Sequence, residues 1–331
     1  MDSTNLQQQL FQHLREQLPP HISLADQLCE LLDLSADSVY RRIRGEKPLA
    51  LQELQLICKH YSLSIDQLLQ LGTDSVLFEA PELTAGPLSH ADYMRGLLDQ
   101  VRYFNSFAER RLHYLCKDIP VWYFYLFPEM ASFKSFFWEK AINNAPGLVN
   151  KQFSLEEFPY TDCFELGQQI LQEYNRMPSV ELWNLESINS TINQIAYYRD
   201  AGMFRRQADL AAVITSFQQM LDHLQSQTAY GRKFMPGHGE TAQQQSMDFY
   251  VNELILGSNT LLLKLNSTQL AAVSYSVLRY LTTRDERFTS NVSDTFQTLL
   301  SRSALISQSG EKERNRFFNA LREKVEQLRK V

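Results

Sequence analysis

Residues 22–48 contain two short amphipathic segments separated by a tight turn, and this pattern constrains the N-terminal fold most strongly. The apolar residues of the first segment recur at helical spacing and are Leu24, Ala25, Leu28 and Leu32. The second segment spans 36–44 and is followed by Gly45 and Pro48, which are typical of the end of a helix. Ser35 precedes it and can cap its free first-turn N–H groups. The sequence therefore predicts two short helices joined by a tight turn.

Two short helices in this arrangement can place the second one in the major groove of DNA. The pattern resembles the helix-turn-helix domains of the Cro and phage-repressor class, the XRE type. The residues that carry the resemblance are Ala25, Leu34, Ser35, Val39, Ile43, Gly45 and Pro48. The similarity covers about residues 5–72, and 51–69 resemble the fourth and fifth helices of that family. The resemblance implies a five-helix DNA-binding domain over residues 1–72, with double-stranded DNA as its partner.

The second helix has an apolar side and a polar side. Val39 and Ile43 lie one turn apart and are expected to face the domain core. The polar side, its flanks and the adjoining turns form the predicted DNA-binding set, which is Ser35, Ala36, Asp37, Ser38, Tyr40, Arg41, Arg42, Arg44 and Lys47. Arg41 and Arg44 are expected to reach guanine or phosphate groups, and Lys47 to contact phosphate.

Charge in this region is concentrated near the second helix. Residues 1–72 hold six Lys or Arg and nine Asp or Glu, a net charge of −3, whereas residues 41–47 carry a local charge of +3. Attraction to phosphate depends on the local field, so we expect marked salt sensitivity, for which a dimer would help to compensate. Asp37 precedes Arg41 by one turn, a spacing that permits an ion pair or an acceptor for a cytosine amino group.

Length and composition set the class of the remaining chain. A chain of 331 residues is expected to form about two or three domains, and its 12 Gly and 11 Pro are few enough to favour helices. Residues 73–89 contain Pro81, Gly86 and Pro87 without a helical period and predict a linker or an irregular strap. Residues 90–331 are expected to form an all-helical dimerisation and effector domain, so the predicted fold class is all-α. Its helices are expected near 90–117, 129–144, 162–175, 184–200, 204–228, 241–256, 259–282, 291–304 and 310–330.

Two features of the second region leave alternatives open. The stripe of Met94, Leu97, Val101, Phe104, Ala108 and Leu115 fits either a coiled-coil seam between two copies or a face packed within one chain. The dense aromatic cluster is Trp122, Tyr123, Phe124, Tyr125, Phe127, Phe133, Phe136, Phe137 and Trp138. These rings fit a hydrophobic core better than an effector pocket.

Several classes of function lack support in the sequence. The four cysteines have no paired spacing, and no zinc signature, Walker loop, nucleophile elbow or dinucleotide fingerprint occurs. We therefore expect no catalytic residues, no cofactor and no metal, and a role other than that of an enzyme. The densest apolar run, 121–127, is far shorter than the roughly 20 residues of a membrane helix, and the N-terminus lacks a signal-peptide pattern, so we expect a cytoplasmic protein.

These observations favour a homodimeric, sequence-specific transcriptional regulator whose helix 36–44 reads the major groove. The loop 235–240 is expected to be a surface turn, and the hydroxyl-rich segment 301–316 an ordinary helix cap. One alternative is a helical protein-interaction module that does not bind DNA. Another is a receptor that binds a small molecule or peptide in its C-terminal domain.

Overall fold

The computed structural model describes residues 3–19, 22–61, 63, 75–80, 89–237, 245–253 and 256–330. Its N-terminal helices are α1 (Ser3–Gln17), α2 (Leu24–Leu32), α3 (Ala36–Ile43) and α4 (Leu51–His60). The predicted fifth helix falls mostly on residues 64–72, which lie outside the described part of the chain.

A small apolar core holds these four helices together. Its buried residues are Leu10, Phe11, Leu14, Leu24, Ala25, Leu28, Val39, Ile43 and Ile57. The turn between α2 and α3 places Asp33 in the left-handed region at φ 52°. Ser35 then caps α3 by accepting from the Ser38 N–H at 3.4 Å. The structure therefore contains the predicted Ser35 cap, the predicted turn between α2 and α3, and the predicted apolar face of α3.

The remainder of the chain is an α/β structure, so the all-α prediction is wrong. Its helices are α5 (His90–Asn105), α6 (Pro128–Phe137), α7 (Thr161–Asn175), α8 (Asn189–Asp200), α9 (Gln207–Tyr230), α10 (Glu286–Ser301) and α11 (Glu311–Glu326). Its strands are β1 (Arg110–Leu115), β2 (Ser179–Trp183), β3 (Met247–Val251), β4 (Thr260–Leu265), β5 (Thr268–Ser276), β6 (Arg279–Thr283) and β7 (Ala304–Leu305). Short 3₁₀ turns cover Val121–Tyr125, Pro146–Leu148 and Gln327–Arg329, and a π-helical turn covers Trp138–Ile142.

The seven strands form one mixed sheet in the order β6-β5-β4-β1-β2-β3-β7. Strands β1, β2 and β3 are parallel, and each is separated from the next in sequence by helices. The other neighbours pair antiparallel, with β4 and β5 in register from Thr260↔Val273 to Leu265↔Thr268. The described parts of the helices predicted at 241–256 and 259–282 instead form β3 to β6 and the turns and loops beside them.

The predicted helix at 90–117 also divides into two elements. Helix α5 ends at Asn105, and β1 begins at Arg110. Met94 and Val101 are buried in the core of their own domain, while Leu115 belongs to β1. The coiled-coil interpretation of this stripe is therefore wrong, since its helical residues pack within one chain.

The sheet is covered on both faces. Leu112 and Tyr114 of β1 point into the large core that contains residues of α5, α6, α7, α9 and α11. His113 and Leu115 point to the opposite face, where the His113 ring meets Phe296 of α10 at 5.8 Å. The aromatic residues 122–138 lie mostly in the larger core, as the core interpretation of this cluster predicts.

Part of the predicted linker is attached to the sheet edge. Glu79 exchanges two backbone hydrogen bonds with Thr282 of β6, at 2.7 and 3.0 Å. The Thr283 hydroxyl donates to the Leu77 carbonyl at 2.7 Å. Residues 75–80 therefore form a strap along an otherwise open strand edge, where pairing also discourages aggregation.

A charged network lies inside the larger core. The fully buried carboxylate of Glu181 accepts from the hydroxyls of Tyr123, at 2.5 Å, and Tyr174, and from the Trp183 indole at 2.8 Å. Lys233 lies over the Tyr174 ring, and its ammonium donates to backbone and hydroxyl oxygens. Burial lowers the pKa of Lys233 despite the neighbouring carboxylate. These interactions stabilise charges that burial alone would make costly.

Gly167 of α7 provides a test of this packing. A methyl group at Gly167 would overlap the ring of Tyr125, whereas one at Gly96 of α5 would meet nothing within 4 Å. Gly167→Ala should lower the free energy of unfolding by about 1–3 kcal/mol through overpacking. The matched control Gly96→Ala should raise it by about 0.5–1 kcal/mol because alanine favours helix. Urea unfolding followed by tryptophan fluorescence measures both, and equal stability of the two variants would contradict the described packing.

Candidate nucleic-acid interface

Helix α3 presents most of the predicted DNA-binding residues to solvent. It ends at Ile43, one residue earlier than predicted, and Gly45 follows with a left-handed φ of 78°. The exposed members of the predicted set are Ser35, Ala36, Asp37, Tyr40, Arg41, Arg44 and Lys47. Ser38 is half-buried, and Arg42 is buried. The outward direction of Arg41 and Arg44 leaves both able to reach a duplex.

Arg42 differs from its neighbours because its guanidinium is used inside the domain. It donates two hydrogen bonds to the carboxylate of Glu53 in α4, at 2.9 and 2.6 Å, and a third to the Ser38 carbonyl at 3.0 Å. Glu53 also accepts from the Ala50 N–H at 3.0 Å, which caps α4. The hydrogen bonds from Arg42 lower the pKa of Glu53. This bidentate pair joins α3 to the start of α4.

Two glutamines of α1 hold the segment that follows α3. The Gln7 amide donates to the carbonyls of Arg42 and Lys47, at 2.7 and 2.8 Å, and its oxygen accepts from the Leu49 N–H at 2.9 Å. Gln8 donates to the Arg44 carbonyl at 2.9 Å. The loop that carries the last predicted basic residues is therefore fixed to α1 by side-chain hydrogen bonds.

Glu46 is the local partner of the two exposed arginines. It pairs with Arg44 at 2.5 Å and with Arg41 at 3.9 Å, and all three side chains are about half exposed. The hydrogen bond from Arg44 lowers the pKa of Glu46 and raises that of Arg44. The ion pair that the spacing of Asp37 and Arg41 permits is not formed in the structure, where Arg41 pairs with Glu46 instead. In solvent such pairs are weak, so phosphate or a base can replace Glu46.

Sequence reasoning missed Gln7, Gln8 and Glu53. A signal for the buried pair was present, because Arg42 follows Val39 by three residues and so shares its inner face. Glu53 likewise stands three residues after Ala50, at the position from which a carboxylate can cap a helix start. The role of Gln7 depends on the packing of α1 against α3, which no local pattern encodes.

Other predicted features are structural or fall outside the described residues. In 301–316, the buried Arg314 donates to the Ile306 carbonyl at 2.8 Å and supports the start of α11. The loop 235–240 is described only as far as Gly237. Within the described ranges, no group of His, Cys, Asp and Glu could hold a metal ion, and no helix has the length and apolar character needed to cross a membrane.

Comparison with known proteins identifies the N-terminal region. Residues 4–85 match the model of the BetR domain, about a quarter of the chain. This match, together with the capped helices α2 and α3, indicates a helix-turn-helix region of a DNA-binding regulator. Searches of curated proteins and of solved structures give no significant match to the chain.

The Arg42–Glu53 pair predicts a pH dependence of local stability. Because the folded pKa of Glu53 is lowered, the pair stabilises the domain above the ordinary value of 4.5 and is lost as the pH falls through the lower folded value. Glu53→Gln should destabilise α3 and α4 by about 2 kcal/mol at neutral pH and by much less at acid pH.

Hydrogen exchange of the α3 and α4 amides, corrected for intrinsic rates, measures this difference in the whole chain. Glu30→Gln, which removes an exposed carboxylate from α2, is the matched control and should have little effect at either pH. An undiminished effect of Glu53→Gln at acid pH would exclude the charged pair as its cause.

Proposed function

We propose that this protein is a sequence-specific DNA-binding transcriptional regulator that reads the major groove with α3. The main support for this proposal is that the arginines of α3, and of the residue that follows it, point in different directions. Arg41 and Arg44 face solvent, whereas Arg42 is held inside by Glu53. The BetR match over residues 4–85 supports the same assignment.

Each exposed residue has a role set by its position. Ser35, Ala36, Asp37 and Ser38 start α3, the part of a reading helix that comes closest to base edges. Tyr40, Arg41 and Arg44 lie further along, and either arginine can donate two hydrogen bonds to guanine. Lys47 lies in the fixed loop and is assigned to phosphate. Arg42 acts as a positioning residue through Glu53 and does not contact DNA in this proposal.

Glu46 gives the interface a built-in competitor. In the free protein, an oxygen of its carboxylate forms an ion pair with Arg44 Nε at 2.5 Å. Binding would exchange this carboxylate for a phosphate or a base, and the exposed pair costs little to break. The acidic remainder of residues 1–72 keeps non-specific binding weak, so specificity depends on direct contacts.

We assign the second domain to the pairing of two copies and to the control of DNA binding, and we assign no catalytic step to it. A single reading helix covers one half-site, and pairing of two copies would supply the second. The homodimer is proposed on this ground, because the 94–115 stripe no longer supplies an interface. Selection of bound DNA from a random pool tests it, since a homodimer should select inverted or repeated half-sites. An isolated single half-site would argue for binding as a monomer.

Replacement of the exposed arginines tests the reading surface. Arg41→Ala or Arg44→Ala should each weaken binding to the selected site by about 1–3 kcal/mol if the side chain contacts a base. If it contacts phosphate, affinity should fall on all sequences and the salt slope should decrease by about one. Arg302→Ala, which removes an exposed arginine at the end of α10, is the matched control and should bind normally.

Fluorescence anisotropy over a range of salt concentrations measures these affinities. Unchanged affinity in both the Arg41 and the Arg44 variants would remove α3 from the interface. A complete lack of binding to mixed genomic DNA at low salt would favour the protein-interaction alternative.

A further inference from the structure

An open pocket of about 420 Å³ is lined by residues of the second domain. Its lining residues come from the π-helical turn after α6, the following 3₁₀ turn and the loop before α7. They are Glu139, Leu148, Glu157, Phe158, Pro159 and Tyr160. The volume suits a small organic molecule, and the wall combines apolar surface with carboxylates.

The two carboxylates of this pocket differ in their partners. Glu157 pairs with Lys151 at 2.8 Å and with Arg205 at 2.9 Å, and these cations lower its pKa. Glu139 is half-buried and accepts from the His90 N–H at 2.6 Å and the Asn143 amide at 3.4 Å. No lysine or arginine of the described chain forms an ion pair with it. Glu139 therefore leaves a negative charge without a cationic partner in the pocket wall.

Aromatic rings lie beside this charge. The rings of Phe158 and Tyr160 are stacked at 6.5 Å with an angle of 27° between their planes. Burial, and then the nearby charge of Glu139, raise the pKa of Tyr160. Electron-rich ring faces beside a carboxylate attract organic cations through the ring quadrupole and direct charge pairing.

We propose that this pocket binds a small organic ammonium ion. Its charged nitrogen would lie against Glu139, and its apolar body would lie against Phe158, Tyr160 and Leu148. An anion would be repelled by Glu139, and a purely apolar molecule would leave its carboxylate without a cationic partner. The unusual π-helical turn Trp138–Ile142, which carries Glu139, is a local distortion frequent at functional sites.

The pocket is connected to the start of α5. His90 is the first residue of that helix, and its backbone N–H donates to the same carboxylate that would receive the ligand. The His90 ring is buried against Trp138 and joined to the Tyr125 hydroxyl at 2.6 Å. A cation at Glu139 competes with this N–H at the point where the second domain follows the connecting segment. The resulting control of DNA affinity rests on the proposed function, whereas binding in the pocket does not.

Benzyltrimethylammonium is a suitable probe because it combines a fixed charge with one apolar ring. Titration calorimetry with the whole protein should show saturable binding, and the N-methyl protons should shift upfield through ring currents. Glu139→Gln should weaken binding about tenfold while keeping an acceptor for His90, and Phe158→Leu should weaken it about threefold. Glu156→Gln, on the same loop but outside the pocket lining, should bind normally.

Benzyl alcohol and benzoate are the neutral and anionic comparisons. The proposal expects neither to bind as tightly as the ammonium probe, and expects the preference for the cation to disappear in Glu139→Gln. Absence of saturable binding of benzyltrimethylammonium, or equal binding by the wild type and Glu139→Gln, would overturn the site. A circular dichroism melt of each variant confirms that the fold is retained.

The regulatory consequence is measured separately. DNA affinity of the wild type should change at saturating probe, and that of Glu139→Gln should change less at the same probe concentration. Probe binding without any change in DNA affinity would overturn the control of DNA binding but leave the site. Failure to bind DNA at all would contradict the proposed function without affecting the calorimetric result.

Discussion

The bidentate ion pair between Arg42 and Glu53 determines how the reading helix is presented. Its guanidinium is almost completely shielded from solvent, and its carboxylate also caps the start of α4. This interaction therefore joins α3 to the start of α4, while the amides of Gln7 and Gln8 hold the loop between them. Val39, Arg42 and Ile43 form the buried side of α3, so Arg41 and Arg44 lie on the opposite side and face outward. Arg41 and Arg44 owe their exposure to this geometry as much as to their own polarity.

In the second domain, too, a buried carboxylate is held by hydrogen bonds from several side chains. Glu181 is buried in the central sheet, and surrounding hydroxyl and indole donors compensate its charge. Within the described part of the chain, Glu139 in contrast accepts from one side-chain amide and one backbone N–H, and it lines an open pocket. A carboxylate surrounded by donors on all sides contributes to the structure, whereas one that lines a pocket without a cationic partner can still attract a ligand. This contrast separates the structural carboxylates of the chain from the one we assign to a ligand.

The N-terminal helices could be predicted because their apolar residues follow helical spacing and their ends carry Ser35 and Gly45. The sheet could not, since strands such as β2 are short and buried on both faces, and even the polar Ser179 and Glu181 of β2 lie inside. Residues 259–282 contain no Gly or Pro to mark the turns between their strands, and the scarcity of these two residues favours the helix expected there. The inward role of Arg42 was partly encoded in its spacing from Val39. Its partner Glu53 and the glutamines of α1 depend on tertiary packing, which a single sequence does not show.

The pairing of the strap with β6 has a consequence for reach. Leu63, the last described residue near α4, and Ser75, the first of the strap, are 12 positions apart. A chain of that length spans at most roughly 43 Å when fully extended. The helix-turn-helix region is therefore joined by a short connection to the edge of the sheet at β6. If two copies bind one operator, the length of this connection sets an upper limit on the separation of the half-sites. A larger separation would require residues 75–80 to detach from β6.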